Sequence, residues 1–253
     1  MNEFDRYVAG FPPTKPLLPL FHVCDAVGFK HIIQDLQIRA FECDVFQKTE
    51  LAYFFYGRPS YRVKGPDAPT SSSVFFPVCF VLDFEKIGLP HHVFPFDSGA
   101  QHFGLFKDFL HKSWTHRDFQ LSPGIETPAR LINCFYGNNA NYVSENVVQR
   151  QFAPLDLELN AYQNLIANKG TTPYDNRRST VEVAYKGHIS ISPENLITII
   201  LPVGFQADPR VQEFRNKTNI DFLTYNPTHT SPSEYHAAIK MRVDDLLTQN
   251  NYL

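Results

Sequence analysis

A glutamate inside a predicted strand is the first residue whose position could do chemistry. Residues 179–185 (STVEVAY) alternate as a strand requires, and Glu182 lies on the face opposite Val181 and Val183. Burying a carboxylate without a partner is costly. If its face lines a cleft, Glu182 could therefore hold a ligand hydroxyl and stabilise developing positive charge. The same pattern also fits a glutamate on the solvent side of an edge strand.

A histidine occupies an early apolar segment, residues 17–24 (LLPLFHVC), whose length and composition predict a buried strand. From a fixed strand backbone, His22 could present a ring N–H to a ligand. The alternative is a core histidine whose hydrogen bonds are made within the protein.

The segment YFFYGRPSYR, residues 53–62, holds the densest group of ligand-binding side chains. Tyr53 and Tyr56 offer flat faces for stacking. Arg58 and Arg62 offer guanidinium groups that could clamp a phosphate or carboxylate. The alternative is a core strand with arginines at its end.

Other polar motifs give weaker signals. The region that holds His91, His92, His102, His111 and His116 matches no metal-binding spacing, so we predict no metal site. Residues 177–178 (RR) precede the glutamate strand and could meet a phosphate or simply be solvated. The sequence contains no serine-hydrolase, P-loop or dinucleotide-binding fingerprint.

Alternating and continuous apolar runs predict the elements that must position these residues. Strands are expected over residues 17–24, 51–56, 74–84, 179–185 and 196–201. Helices are expected over residues 26–36, 155–167 and 233–247, with a short one near 104–110. Residues 85–104 have the composition of an extended loop, and residues 129–136 fit a strand or a helix. No repeat or linker divides the chain, so residues 1–253 are expected to form one domain.

Composition limits the classes of function. The chain has 253 residues, of which 43% are hydrophobic, and it carries a formal charge of -3. These values indicate a folded core and do not support broad electrostatic binding of nucleic acid. The four cysteines, at positions 24, 43, 79 and 134, form neither a zinc motif nor a disulfide framework. With no signal-like N-terminus and no membrane-length apolar run, we expect a cytoplasmic protein.

Taken in order, these segments resemble the DarT-type ADP-ribosyltransferases. The resemblance covers residues 18–62 and 177–203 and is carried by LFHVC, YF followed by RP, and VEV before the last apolar strand. It implies an α+β fold, with a split mixed β-sheet, flanking helices and long loops around an NAD cleft. In that family a strand histidine opens the NAD site, an arginine follows the second motif, and a late strand carries the catalytic glutamate.

The resemblance assigns roles to six residues. Glu182 and Arg58 would be catalytic, whereas His22, Tyr53, Tyr56 and Arg62 would bind NAD. The implied reaction is a glycosyl transfer of ADP-ribose from NAD, without a metal, to a macromolecule. The favoured acceptor is a DNA or RNA base, and a protein acceptor stays open.

The resemblance also implies a cellular role. It favours a toxin or phage-defence effector that modifies nucleic acid and is restrained by an antitoxin or regulatory partner. Two alternatives remain at this stage. One is an NAD glycohydrolase on the same fold, and the other is a non-catalytic module that binds a nucleotide or a partner.

Overall fold

The computed structural model describes residues 1–60, 68–168 and 175–253, and they fold into a mixed β-sheet flanked by helices. The strands are β1 (Leu20–Cys24), β2 (Gln37–Ile38), β3 (Phe41–Cys43), β4 (Thr49–Tyr56), β5 (Val78–Leu82), β6 (His92–Phe94), β7 (Glu182–Lys186), β8 (Ile189–Ser190), β9 (Leu196–Pro202) and β10 (Phe222–Tyr225). The helices are α1 (Glu3–Ala9), α2 (Ala26–Asp35), α3 (Phe84–Ile87), α4 (Ser98–His102), α5 (His116–Phe119), α6 (Thr127–Tyr136), α7 (Asn139–Val143), α8 (Leu157–Ala167), α9 (Pro209–Thr218) and α10 (Pro232–Gln249).

The main sheet has the strand order β10-β9-β5-β1-β4-β7-β6, and β3 also pairs with β4. Strands β9 and β10 are parallel, whereas the other neighbours are antiparallel. This mixed sheet with flanking helices is compatible with the predicted α+β class. The specific ADP-ribosyltransferase arrangement stays a prediction.

One edge of β4 is shared between two strands. Strand β1 pairs with its end at Phe55 and Tyr56, whereas β3 pairs with its beginning, as far as Leu51. Between these two pairings the ladder is interrupted, and the ring of His22 bonds the carbonyl oxygen of Tyr53 there, at 2.9 Å from Nδ1. The sheet is therefore split beside His22.

Helix α2 covers the face of the sheet on which His22 lies. Asp25 caps this helix by accepting a hydrogen bond from the Gly28 amide at 2.8 Å. The ring of Phe29 on α2 packs 6.0 Å from that of Phe80, the cross-strand partner of His22. The aspartate cap and the apolar spacing predicted this helix correctly.

One phenylalanine, Phe4, joins four helices into a layer. Phe4 of α1 lies 5.5 Å from the ring of Phe119, 5.9 Å from Phe135 and 5.2 Å from Tyr162, which belong to α5, α6 and α8. The hydroxyl of Tyr162 also donates to the carbonyl of Pro95 at 3.1 Å. The helical layer thus holds the chain that leads into α4.

Several predicted elements have different bounds in the structure. The strand expected over residues 74–84 is limited to β5, because residues 73–75 form a 3-10 turn before Pro77. The helix expected near 104–110 is wrong, because these residues form turns. The helix in this part of the chain is α4, which Asp97 caps at the Ala100 amide and which ends at His102. The expected loop over residues 85–104 accordingly contains most of α3, all of β6 and α4.

Candidate functional site

Glu182 is the first residue of β7 and lies between two neighbouring strands. Its register partners are Phe55 on β4 and Phe94 on β6. The sequence also fits a solvent-facing glutamate on an edge strand, but Glu182 is only 3% exposed. The carboxyl group is therefore taken out of water and must find its partners within the protein.

Ser98, the first residue of α4, supplies those partners. Its hydroxyl donates to Glu182 Oε1 at 2.6 Å, and its backbone amide donates to Oε2 at 3.2 Å. Both carboxyl oxygens are thus held from one residue, 84 positions earlier in the chain. These two bonds fix the orientation of the carboxyl group.

The surroundings of Glu182 favour the neutral acid. Burial, followed by the negative charge of Asp97, raises the pKa of the Glu182 carboxyl well above its usual range, and the two bonds from Ser98 act in the opposite direction. A carboxyl group in this setting can accept a hydrogen bond from a hydroxyl. It could also stabilise positive charge that develops beside it when it is ionised.

Arg58 contacts the chain that leads into β7. It is 2% exposed, and its Nη1 lies 2.8 Å from Glu145 Oε1. Its Nη2 donates to the Ser179 carbonyl and, at 3.1 Å, to the Ser179 hydroxyl. The guanidinium also lies 4.2 Å from the ring centre of Tyr142. The predicted phosphate clamp is therefore engaged with the protein itself.

Tyr142 completes this attachment. Its hydroxyl accepts a hydrogen bond from the Val181 amide at 3.0 Å and donates to the Tyr56 carbonyl at 2.8 Å. One side chain thereby joins the end of β4 to the residue that precedes Glu182. Arg58 and Tyr142 together fix the position at which β7 begins.

The structure does not bring His22 and Glu182 to one face. Phe21, Phe55 and Glu182 lie in register across β1, β4 and β7, so their side chains project to the same side. His22 is the next residue along β1 and projects to the opposite side, where its ring lies 5.6 Å from that of Phe54. The NAD cleft that the resemblance implies is therefore not lined jointly by His22 and Glu182.

The histidine is half-buried in the split between β1 and β4. Burial lowers the pKa of His22, and the hydrogen bond to the Tyr53 carbonyl acts in the opposite direction. Its predicted contact with NAD stays a prediction. In the structure His22 bonds a backbone group that the interrupted ladder leaves without a strand partner.

The tyrosines predicted to bind NAD lie on different faces. Tyr53 shares the face of Glu182, and its hydroxyl donates to Cys43 Sγ at 2.7 Å. Burial, with a further contribution from Glu182, raises the pKa of Tyr53. Tyr56 is fully buried on the other face, where its hydroxyl accepts from the Leu18 amide at 2.8 Å. Arg62 lies outside the described residues.

Sequence reasoning missed Ser98 and Tyr142, the side chains that hold the candidate site. Asp97 and Ser98 carry a local signal, because an aspartate before a small polar residue often begins a helix. That signal could have located α4. Nothing in the sequence indicated that the first residue of α4 would meet Glu182, because the contact depends on how β6 pairs with β7.

Arg177 and His92, from the predicted arginine pair and the histidine-rich region, have partners within the protein. Arg177 forms a two-point ion pair with Asp175, with nitrogen–oxygen distances of 2.8 and 2.5 Å. The His92 ring stacks 4.4 Å from Phe46, and burial, with the neighbouring His91 and His116, lowers the pKa of His92 to about 4. Among the described residues, no group of three or more His, Cys, Asp or Glu side chains is arranged to hold a metal.

Comparisons with known proteins give no family for this chain. No protein-family model matches it, and no curated protein matches its sequence. Within residues 1–60, 68–168 and 175–253, no helix has the length and apolar character needed to cross a bilayer. Any function must therefore be argued from the residues and their geometry.

Proposed function

We propose that this protein is an NAD-dependent ADP-ribosyltransferase whose reaction centre is Glu182. The observation that carries the proposal is a buried strand carboxyl that already accepts a hydrogen bond from a hydroxyl group, that of Ser98. In the proposal, a ribose hydroxyl takes the place of the Ser98 hydroxyl on that carboxyl. The split sheet and the resemblance of the three motifs, in order, to the DarT-type enzymes add support.

In the proposed reaction, the bond between the nicotinamide nitrogen and the anomeric carbon of the ribose breaks, and nicotinamide leaves with the bonding electrons. Positive charge develops at the anomeric carbon. The positive charge of bound NAD favours loss of the Glu182 proton to solvent, and the carboxylate then stabilises the developing charge and holds a ribose hydroxyl. A nitrogen or oxygen of the acceptor then forms the new bond to the anomeric carbon and gives up its proton to a base, for which Glu182 is the candidate.

Arg58 has a positioning role in this proposal. Its guanidinium holds Ser179, three residues before Glu182, and is itself held by Glu145 and Tyr142. These contacts fix where β7 begins and therefore where the Glu182 carboxyl group lies. This role replaces direct contact with the NAD phosphates.

The acceptor is proposed to be a macromolecule, with a DNA or RNA base favoured. The formal charge of -3 gives no broad attraction to phosphates, so a nucleic acid would be recognised at a local site. A cytoplasmic toxin or phage-defence role, with a restraining partner protein, follows from the resemblance alone.

The test is transfer of label from NAD that is labelled in its ADP-ribose part. The protein would be incubated with single-stranded DNA, duplex DNA, RNA or cell lysate, beside a Glu182→Gln variant whose folding is verified. We expect label on one class of polymer with the wild type and none with the variant. Free ADP-ribose alone would show the glycohydrolase instead, and undiminished transfer by the variant would exclude Glu182 as the reaction centre.

A further inference from the structure

A separate cleft of about 480 Å³ opens beside α4 and the segment that follows it. Ligand-binding pockets typically fall at roughly 300–1,000 Å³, so the cleft has the size of a small-molecule site. Its polar lining includes Gln101, His102, Lys107, His111, Lys112 and His116. Apart from Gln101, each of these side chains is a lysine or a histidine.

The charge in this cleft has one sign. No aspartate or glutamate is among the residues that line it, and neither Lys107 nor Lys112 forms an ion pair within the described part of the chain. Both lysines are exposed, so their ammonium groups can reach a ligand. A cleft that has lysines and no carboxylates in its lining concentrates anions, and phosphate is the anion that such groups bind commonly.

The same cleft offers flat apolar surface beside the cations. Trp114 is half-buried in the lining, where its ring meets Phe119 edge to face at 5.6 Å. Phe103, next to Gly104 at the cleft, is 59% exposed. Aromatic side chains that are half-buried or exposed beside cations suit a ligand that carries both a planar ring and a negative charge.

Gln101 supplies a directional polar group in the lining. Its amide oxygen is buried and has no hydrogen-bond partner among the described residues. An amide can donate and accept side by side. The edge of a nucleobase presents a complementary acceptor and donor. A hydrogen bond from such a ligand would also give the buried amide oxygen the partner that it lacks among the described residues.

From these observations we propose that the cleft binds a nucleoside phosphate. The ammonium groups of Lys107 and Lys112 contact the phosphate, and the indole of Trp114 stacks on the base. The amide of Gln101 bonds the base edge. The site is lined by none of the residues assigned to NAD, and the inference does not depend on the proposed transferase.

The chain provides its own probe, because Trp114 is its single tryptophan. Adenosine, guanosine, cytidine and uridine monophosphates would be titrated while the Trp114 fluorescence is followed with excitation at the red edge of its absorption. We expect saturable quenching by at least one monophosphate, weakened by added salt. Ribose 5-phosphate, which lacks the base, should cause little quenching and should compete with the nucleotide.

Variants assign the binding to this cleft. Lys107→Ala with Lys112→Ala should weaken binding by about tenfold or more, since each lost charge contact is worth roughly 1 kcal/mol. Lys30→Ala, at an exposed lysine on α2, should leave it unchanged.

Three results would overturn the inference. They are the absence of saturable quenching by any of the four monophosphates, binding that survives loss of both lysines, and equal quenching by ribose 5-phosphate. A failure of the transferase test would leave the nucleotide titration standing.

Discussion

At the scale of single residues, the buried side chains of Glu182 and Arg58 have different kinds of partner. Glu182 is bound by a neutral residue, Ser98, and lies near a second acid, Asp97. Arg58 is paired with Glu145 and with backbone and hydroxyl oxygens of Ser179. The Glu182 carboxyl is thus bound without a cation, whereas the charge of the Arg58 guanidinium is balanced by Glu145. This contrast separates a candidate reacting group from a positioning one.

Glu182 should make stability depend on pH in a definite direction. The pKa of Glu182 is higher in the folded protein than the ordinary value of 4.5. Its contribution to folding stability is therefore fully present below about pH 4.5 and is lost as pH rises through the folded pKa. As pH rises through that window, the free energy of unfolding of Glu182→Gln should therefore increase relative to that of the wild type, by up to about 1.4 kcal/mol for each pH unit. Urea unfolding of both proteins at a series of pH values tests this, and parallel curves would contradict it.

Arg58→Lys should lower stability, although it preserves the charge. A lysine cannot contact Glu145 and Ser179 at once in a fixed fork, and a buried pair that loses good geometry leaves charge uncompensated. We expect a loss of about 2 kcal/mol or more in the free energy of unfolding. The matched control is Arg130→Lys at the partly exposed pair with Glu126, where a change below about 0.5 kcal/mol is expected. Equal effects at both sites would refute the role given to Arg58.

At the scale of elements, period-two alternation identified β7 and the face of Glu182, but it did not tell which face is buried. Val183 and Ala184 are both fully buried, since β7 is covered on each side. Local pattern also failed at α4, where the helix depends on a single aspartate cap rather than on an apolar face. Contacts such as that of Ser98 with Glu182 arise from strand pairing over a long sequence separation. No local signal contains them.

The start of β7 should depend on one hydroxyl group. Tyr142→Phe removes the acceptor of the buried Val181 amide and the donor to the Tyr56 carbonyl. Buried groups left without partners cost about 1–3 kcal/mol each, so unfolding free energy should fall by at least that amount. Hydrogen exchange should also quicken at Val181. Tyr7→Phe, at a half-buried tyrosine of α1, is the control, and identical behaviour of the two variants would argue against this role.

At the scale of the whole molecule, the sheet is split where β1 and β3 share an edge of β4, and His22 lies in the split. Apolar and alternating runs predicted five of the ten strands in the described residues, namely β1, β4, β5, β7 and β9. The α+β class came from the resemblance. The relation of the motifs could not be predicted, because one residue along β1 decides whether His22 faces Glu182. The motifs that hold His22, Arg58 and Glu182 therefore follow one another in the order that the resemblance requires, but their side chains do not line a single cleft.

A chelator should leave the proposed activity unchanged. The chemistry assigned to Glu182 requires no metal, and the described residues hold no cluster that could bind one. Transfer or hydrolysis of NAD would be measured before and after dialysis against excess EDTA. Loss of activity that zinc or magnesium restores would contradict the mechanism and direct attention to His92 and His116.

The central claim is that Glu182 promotes the release of nicotinamide from NAD, and the rate of that release tests it most directly. It would be measured for the wild type, for Glu182→Gln and for Glu50→Gln, an exposed strand glutamate of β4. The account predicts release by the wild type and by Glu50→Gln, and a fall of roughly a hundredfold or more in Glu182→Gln. Equal release by all three proteins, or no release by the wild type with any acceptor, would contradict it.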